Sequence, residues 1–128
     1  GMAFGNSDVA GVHCLSETLG GLYDISHGLA NAVLLVPVMR YHEPKIADRL
    51  ASLGRRVAAA NPAYHPDRFL DAVSSLVASL GIPEFSSFDI AESDDVKIAA
   101  GAVANGSNDS NPQAMAESDY RAILKSIR

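Results

Sequence analysis

The spacing of apolar residues constrains the fold of this chain more than any other sequence feature. Apolar side chains recur every three or four positions, as one face of an α-helix requires, and no segment alternates with the period of two expected of a strand. Aromatic residues make up only 6% of the chain and tryptophan is absent. The pattern predicts an all-α protein, folded as a helical bundle.

Capping residues, glycines and prolines divide this pattern into six predicted helices. The Gly20–Gly21 pair is expected to end the first helix, Pro37 to kink the second and Pro44 to begin the third. The fourth helix carries one apolar stripe from Phe69 to Leu80 and ends at Gly81. The predicted helices span residues 7–19, 27–41, 44–53 or 44–60, 67–80, 94–103 and 118–127.

Length and charge narrow the classes of partner. The 128 residues predict one helical domain, and ten basic against fifteen acidic residues give a net charge of −5. No cluster of basic residues is present, so we expect neither nucleic acid nor a membrane as a partner. The apolar stretch 29–39 is too short to span a bilayer.

The lone cysteine, Cys14, forms no disulfide within the chain, and we expect a reducing, cytoplasmic location.

Three residues form the candidate site for chemistry. His13 and Glu17 are four residues apart on the first helix, which places both on the same face, and His27 begins the next helix after a short turn. Packed side by side, the two helices bring all three side chains toward one cation. The spacing alone leaves open an ordinary alternative, in which His13 is a hydrogen-bonded core residue and Glu17 is solvated. His42 and His65 are predicted to be surface residues.

Residues 4–41 carry a longer motif, FGNSDVAGVHCLSETLGGLYDISHGLANAVLLVPVMRY. It resembles the signature of the iron-containing (group III) alcohol dehydrogenases, in which a histidine helix, a Leu-Gly-Gly turn and a His-Gly-x-x-Asn-Ala helix follow one another. Leu-Gly-Ile-Pro at 80–83 and Asn-Pro at 111–112 resemble later parts of that family, so the resemblance covers essentially the whole chain. It implies part of the family's helical C-terminal domain, in the dehydroquinate synthase-like fold.

The resemblance also implies a site. His13 and His27 match the family's two later metal-binding histidines, which hold a divalent ion, iron or zinc, that polarises the alcohol oxygen. Phe4 and Ser107 match positions that contribute to the substrate pocket in some members. Asn31 belongs to the signature, and we expect its amide to fix the backbone or the surroundings of the metal ligands.

Departures from the family pattern qualify the expected activity. Glu17 stands where many members have another histidine, so it becomes the candidate catalytic residue, as a metal ligand or a proton acceptor. No glycine-rich phosphate loop follows a strand, so we expect a truncated chain that lacks the cofactor-binding α/β domain. Such a chain is expected to use NAD(P) only together with a separate cofactor-binding chain.

Two further expectations concern the state of the chain. Apolar helix faces without a neighbour predict a homo-oligomer, a dimer, which a monomeric mass by light scattering would contradict. The alternative to an oxidoreductase domain is a non-catalytic remnant that acts as an oligomeric scaffold or binding module. A related metal-dependent family of the same fold, such as glycerol dehydrogenase, fits the His-Gly-x-x-Asn-Ala pattern less well.

Overall fold

The fold of this protein is built from helices. It is described by a computed structural model that gives the side chains of residues 1–2 and 5–128. No β-strand occurs in this part of the chain, which confirms the all-α prediction. None of its helices is long and apolar enough to cross a membrane. The α-helices are Met2–Ser7 (α1), Gly11–Tyr23 (α2), His27–Ala60 (α3), Phe69–Ser79 (α4), Asp95–Ala104 (α5) and Glu117–Lys125 (α6).

Helix α2 does not stop at the glycine pair, so that prediction is wrong. It continues to Tyr23 and ends at Asp24, which has a left-handed backbone (φ 56°) and donates its N–H to the carbonyl of Gly20. Each glycine inside a helix costs about 1 kcal/mol relative to alanine. Burial of Leu15 and Leu19, both 0% exposed, offsets that cost and keeps the helix intact through the pair.

Helix α3 joins the second and third predicted helices into one helix of 34 residues. Pro37 and Pro44 both lie inside it, although a proline in a helix interior removes one backbone hydrogen bond and costs about 3 kcal/mol. Leu34, Val38 and His42 recur every four residues and are all buried. Packing of this face against the rest of the bundle therefore outweighs the local preference for a break.

The core is centred on α2, which packs against α3 on one side and α5 on the other, while α6 covers α5. The last helices begin and end within two residues of the predicted positions, and Gly81 has the left-handed backbone expected after α4 (φ 69°). The largest fully buried side chains include Leu15, Leu19, Leu34, Ile98, Tyr120 and Leu124.

Helix α4 is less buried than its regular apolar pattern suggested. Only Leu70 is buried, whereas Leu76 is 56% exposed and Leu80 is 67% exposed. The helix packs against α3, and its one buried residue, Leu70, lies in its first turn. An apolar stripe thus predicted the helix correctly but not how much of it is covered within these 128 residues.

Candidate metal centre

The two histidines predicted to bind metal lie together. α2 carries His13 and α3 begins with His27, and the short connection 24–26 brings their imidazole rings to 5.1 Å between centroids, at 56° between planes. Two imidazoles that bind one ion through nitrogen bonds of about 2.1 Å have ring centres about 5 Å apart. The separation of the two rings therefore matches that of two imidazoles bound to one ion.

Asn31 contacts one ligand of this pair. It lies one turn after His27 on α3, and its Nδ2 is 2.9 Å from Nε2 of His27. The amide Oδ1 of Asn31 is buried and has no hydrogen-bond partner. The Nε2 lone pair that faces the Asn31 amide is the one that a metal ion would use, so an ion at this nitrogen would displace the amide. The expectation that Asn31 fixes the backbone or the surroundings of the metal ligands stays a prediction.

Glu17 does not join the histidine pair. Its Oε2 accepts a hydrogen bond of 2.7 Å from Nδ2 of Asn105, at the end of α5. Among the residues that the structure describes, no three histidine, cysteine, aspartate or glutamate side chains form a group that could hold a metal ion. The catalytic role of Glu17 stays a prediction, with the carboxylate held by Asn105.

Ser107 lies in a small hydrogen-bonded cluster around Asp8, a residue that the sequence reasoning missed. The hydroxyls of Ser107 and Ser110 each donate to the Asp8 carboxylate at 3.2 Å, and the N–H of Val9 donates to it at 2.7 Å. This last bond lowers the pKa of Asp8 most, with smaller contributions from the two serines and the charge of His13.

The cluster connects Ser107, which was predicted to contribute to the substrate pocket, to the loop just before α2, the helix that carries His13. Asp8 has a left-handed backbone (φ 59°), which asparagine and aspartate adopt more readily than most residues. An aspartate beside the first helix gives no sequence signal for a contact with a serine about 100 residues later. The substrate prediction for Phe4 falls outside the residues whose side chains the structure describes.

His42 is not a surface residue, so that prediction is wrong. It is 4% exposed, its Nε2 lies 3.2 Å from Oδ1 of Asn111, and its Nδ1 has no partner. The prediction placed it at a helix end, but α3 continues and carries it into the buried face. His65 is exposed, as predicted, beside Asp67.

The buried imidazole of His42 predicts a pH-dependent stability. Burial lowers the pKa of His42 in the folded protein, although the hydrogen bond to Asn111 and the charge of Asp119 oppose the change. The unfolded chain takes up this proton near pH 6.5, before the folded protein does, so protonation favours unfolding. The free energy of unfolding should therefore fall as the pH drops below about 6.5.

His42→Asn is expected to flatten this dependence between pH 7 and pH 5, as measured by urea denaturation at each pH. His65→Asn, at the exposed histidine, is the matched control and should keep the slope of the unsubstituted protein. Equal slopes in the two variants would show that His42 does not carry the effect.

Comparison with known proteins identifies the family of the chain. The whole chain, residues 1–128, matches the profile of the Fe-containing alcohol dehydrogenase family, C-terminal. It is 34% identical over 130 residues to a 1,3-propanediol dehydrogenase of Klebsiella pneumoniae, an alignment that covers 98% of this chain and 34% of that protein.

Solved structures give the same result for the fold. A crystal structure of a 1,3-propanediol oxidoreductase superposes with a TM-score of 0.89 at 31% identity, covering all of this chain and 35% of that one. An alcohol dehydrogenase from Oenococcus oeni gives 0.87 at 26% identity, over 99% of this chain and 34% of that one. The chain spans about a third of the length of the relatives it matches. It belongs to the iron-containing alcohol dehydrogenase family and corresponds to the C-terminal helical part of its members.

Proposed function

We propose that this chain supplies two metal ligands, His13 and His27, to a divalent ion, iron or zinc, in an NAD(P)-dependent alcohol oxidoreductase. The approach of the two rings to 5.1 Å is the observation that carries the proposal. Membership of a family named for its iron supports it. A bound ion of this kind supplies a Lewis acid that polarises the alcohol oxygen.

The protein's own contribution is to hold the two imidazoles in place. On α2, Cys14, Leu15 and Ser16 follow His13 directly and are all 0% exposed, so the helix that carries this ligand is anchored in the core. On α3, His27 begins a helix whose next turns bury Ala30 and Leu34, both 0% exposed, in the core. Ligands fixed by packing bind an ion with little further loss of conformational entropy.

The remaining ligands and the nicotinamide site are proposed to come from outside these 128 residues. A catalytic zinc or iron usually takes three or more protein ligands, and the described side chains offer no such group of three. The relatives are about three times as long as this chain, which leaves room for these parts. A separate polypeptide is an equivalent source of both parts, and a second copy of the chain is an equivalent source of metal ligands alone.

Zinc affinity tests the proposal. His13→Ala and His27→Ala should each weaken Zn²⁺ binding by more than about tenfold, since loss of even an outer partner of a metal ligand costs about 10- to 100-fold. A competition assay with a chelating dye measures the dissociation constant, and elemental mass spectrometry gives the metal content of the purified protein.

His65→Ala is the matched control, because it removes an exposed histidine away from the pair and should leave Zn²⁺ affinity unchanged. A folded protein that binds no metal, or that binds it equally well in all three variants, would favour the scaffold function instead. A scaffold of this kind keeps the fold, but its two histidines bind no ion.

A further inference from the structure

The side chain of Asn111 joins four parts of the fold at the start of α2. Its Oδ1 accepts a 2.8 Å hydrogen bond from the N–H of Gly11 and lies 3.2 Å from Nε2 of His42 on α3. Its Nδ2 donates to the carbonyl of Asn108 at 2.8 Å and contacts the Tyr120 hydroxyl at 3.2 Å. One carboxamide therefore contacts α2, α3, α6 and the loop before α6.

The contact with α2 requires glycine at position 11. A Cβ atom added there would lie 2.9 Å from Oδ1 of Asn111 and 3.3 Å from Cγ1 of Val38. The first contact is shorter than real Cβ contacts allow, so any side chain at this position displaces the carboxamide or the helix. The buried Gly11 thus allows the start of α2 to approach both Asn111 and α3.

Asn111 also provides the cap that α2 lacks locally. The first N–H groups of a helix have no partner within the helix, and a side chain at the N-cap usually accepts from one of them. The N-cap residue of α2 is Ala10, which makes no such bond. Asn111, 100 residues later in the chain, satisfies the N–H of Gly11 instead.

These contacts connect the two helices that carry the proposed metal ligands. Gly11 precedes His13 by two residues on α2, and His42 belongs to α3, the helix that begins with His27. By binding Gly11 and His42 through the same oxygen, Asn111 fixes the start of α2 along α3. A shift of α2 along α3 changes the separation of the His13 and His27 rings.

We propose that Asn111 is a positioning residue for the His13–His27 pair. It keeps the two imidazoles at the separation that a shared ion needs, without touching the ion. The part of the proposal that concerns metal affinity rests on the proposed function, while the part that concerns ring separation does not.

Two substitutions disturb the same contact from opposite sides. Asn111→Leu removes the shared oxygen, and Gly11→Ala places a methyl group against it. Both should abolish the NOE between the ring protons of His13 and His27 and weaken Zn²⁺ binding by at least about tenfold, the loss typical when a group that orients a ligand is removed. Gly11→Ala keeps the test decisive if Asn111→Leu fails to fold.

Tyr120→Phe is the matched control. It removes a buried hydroxyl from the same network, where it contacts Asn111 and donates to Oδ1 of Asn108 at 2.7 Å, but leaves the bond from Asn111 to Gly11. It should lower stability while the ring NOE and the Zn²⁺ affinity stay as in the unsubstituted protein.

The outcomes separate a positioning role from a structural one. Loss of the NOE in Asn111→Leu and Gly11→Ala, with its retention in Tyr120→Phe, supports the proposal. Retention in all three variants, or equal loss in all three, overturns it. If the unsubstituted protein shows the NOE but binds no Zn²⁺, the proposed metal function fails while the NOE in the variants still decides the role of Asn111.

Discussion

Gly54→Ala is expected to lower the free energy of unfolding by about 3 kcal/mol, at the upper end of the usual cost of overpacking. Gly54 is buried on α3, where a Cβ atom would lie 1.8 Å from the carbonyl oxygen of Pro66 and 2.9 Å from its carbonyl carbon. Both are backbone atoms, so no rotamer change relieves the contact. The 3₁₀ turn Pro66–Arg68 must move away from α3, which disturbs the connection between α3 and α4.

Urea denaturation measures this change, and Gly21→Ala is the matched control. Gly21 is an exposed glycine of α2 with no atom within 4 Å of an added Cβ. Its replacement should stabilise the protein by about 0.5–1 kcal/mol, because alanine favours the helix more than glycine does. A Gly54→Ala protein that is as stable as the unsubstituted one would contradict the close packing of Pro66 on α3.

Arg128→Ala is the second substitution with a large expected effect. The guanidinium of Arg128 forms an ion pair with Asp95, donates to the carbonyl of Ile90 at 2.7 Å and lies over the ring of Phe85 at 5.3 Å. The Asp95 side chain is only 9% exposed. Truncating the arginine leaves a buried carboxylate without its partner, which typically costs about 3–5 kcal/mol.

The same measurement on an exposed ion pair provides the comparison. Asp71 binds Arg40 at 2.7 Å and Arg68 at 2.9 Å, but all three side chains are more than 40% exposed. Exposed pairs contribute little because water screens them and long side chains must be ordered. Asp71→Asn should therefore leave the denaturation midpoint nearly unchanged. Similar losses in Arg128→Ala and Asp71→Asn would show that burial does not set the strength of the Arg128 pair.

The sequence predicted those parts of the site that depend on neighbouring residues. His13 and His27 are 14 positions apart, and a short turn between two helices leaves them few ways to pack, so their approach followed from a local motif. The resemblance to a known family pointed to the same two residues. The fold class followed equally directly from the spacing of apolar residues, since no segment had the period of a strand.

Long-range contacts limited what could be predicted of the rest. Asn111 stands out in the sequence only by its place before Pro112, and nothing there pairs it with Gly11, 100 residues earlier. Pro44 predicts a new helix and therefore a surface position for His42 at a helix end, whereas tertiary packing keeps α3 continuous through both prolines. In each case a side chain from a distant part of the chain determines the local outcome.

X-ray absorption spectroscopy of the Zn²⁺-loaded protein tests most directly whether His13 and His27 bind one ion together. Imidazole rings give an outer-shell scattering pattern from which the number of histidine ligands is counted. Two imidazoles per zinc are expected in the unsubstituted protein and one in each of His13→Ala and His27→Ala. A count of one or none in the unsubstituted protein, or a count of two that persists in both variants, would contradict a shared site.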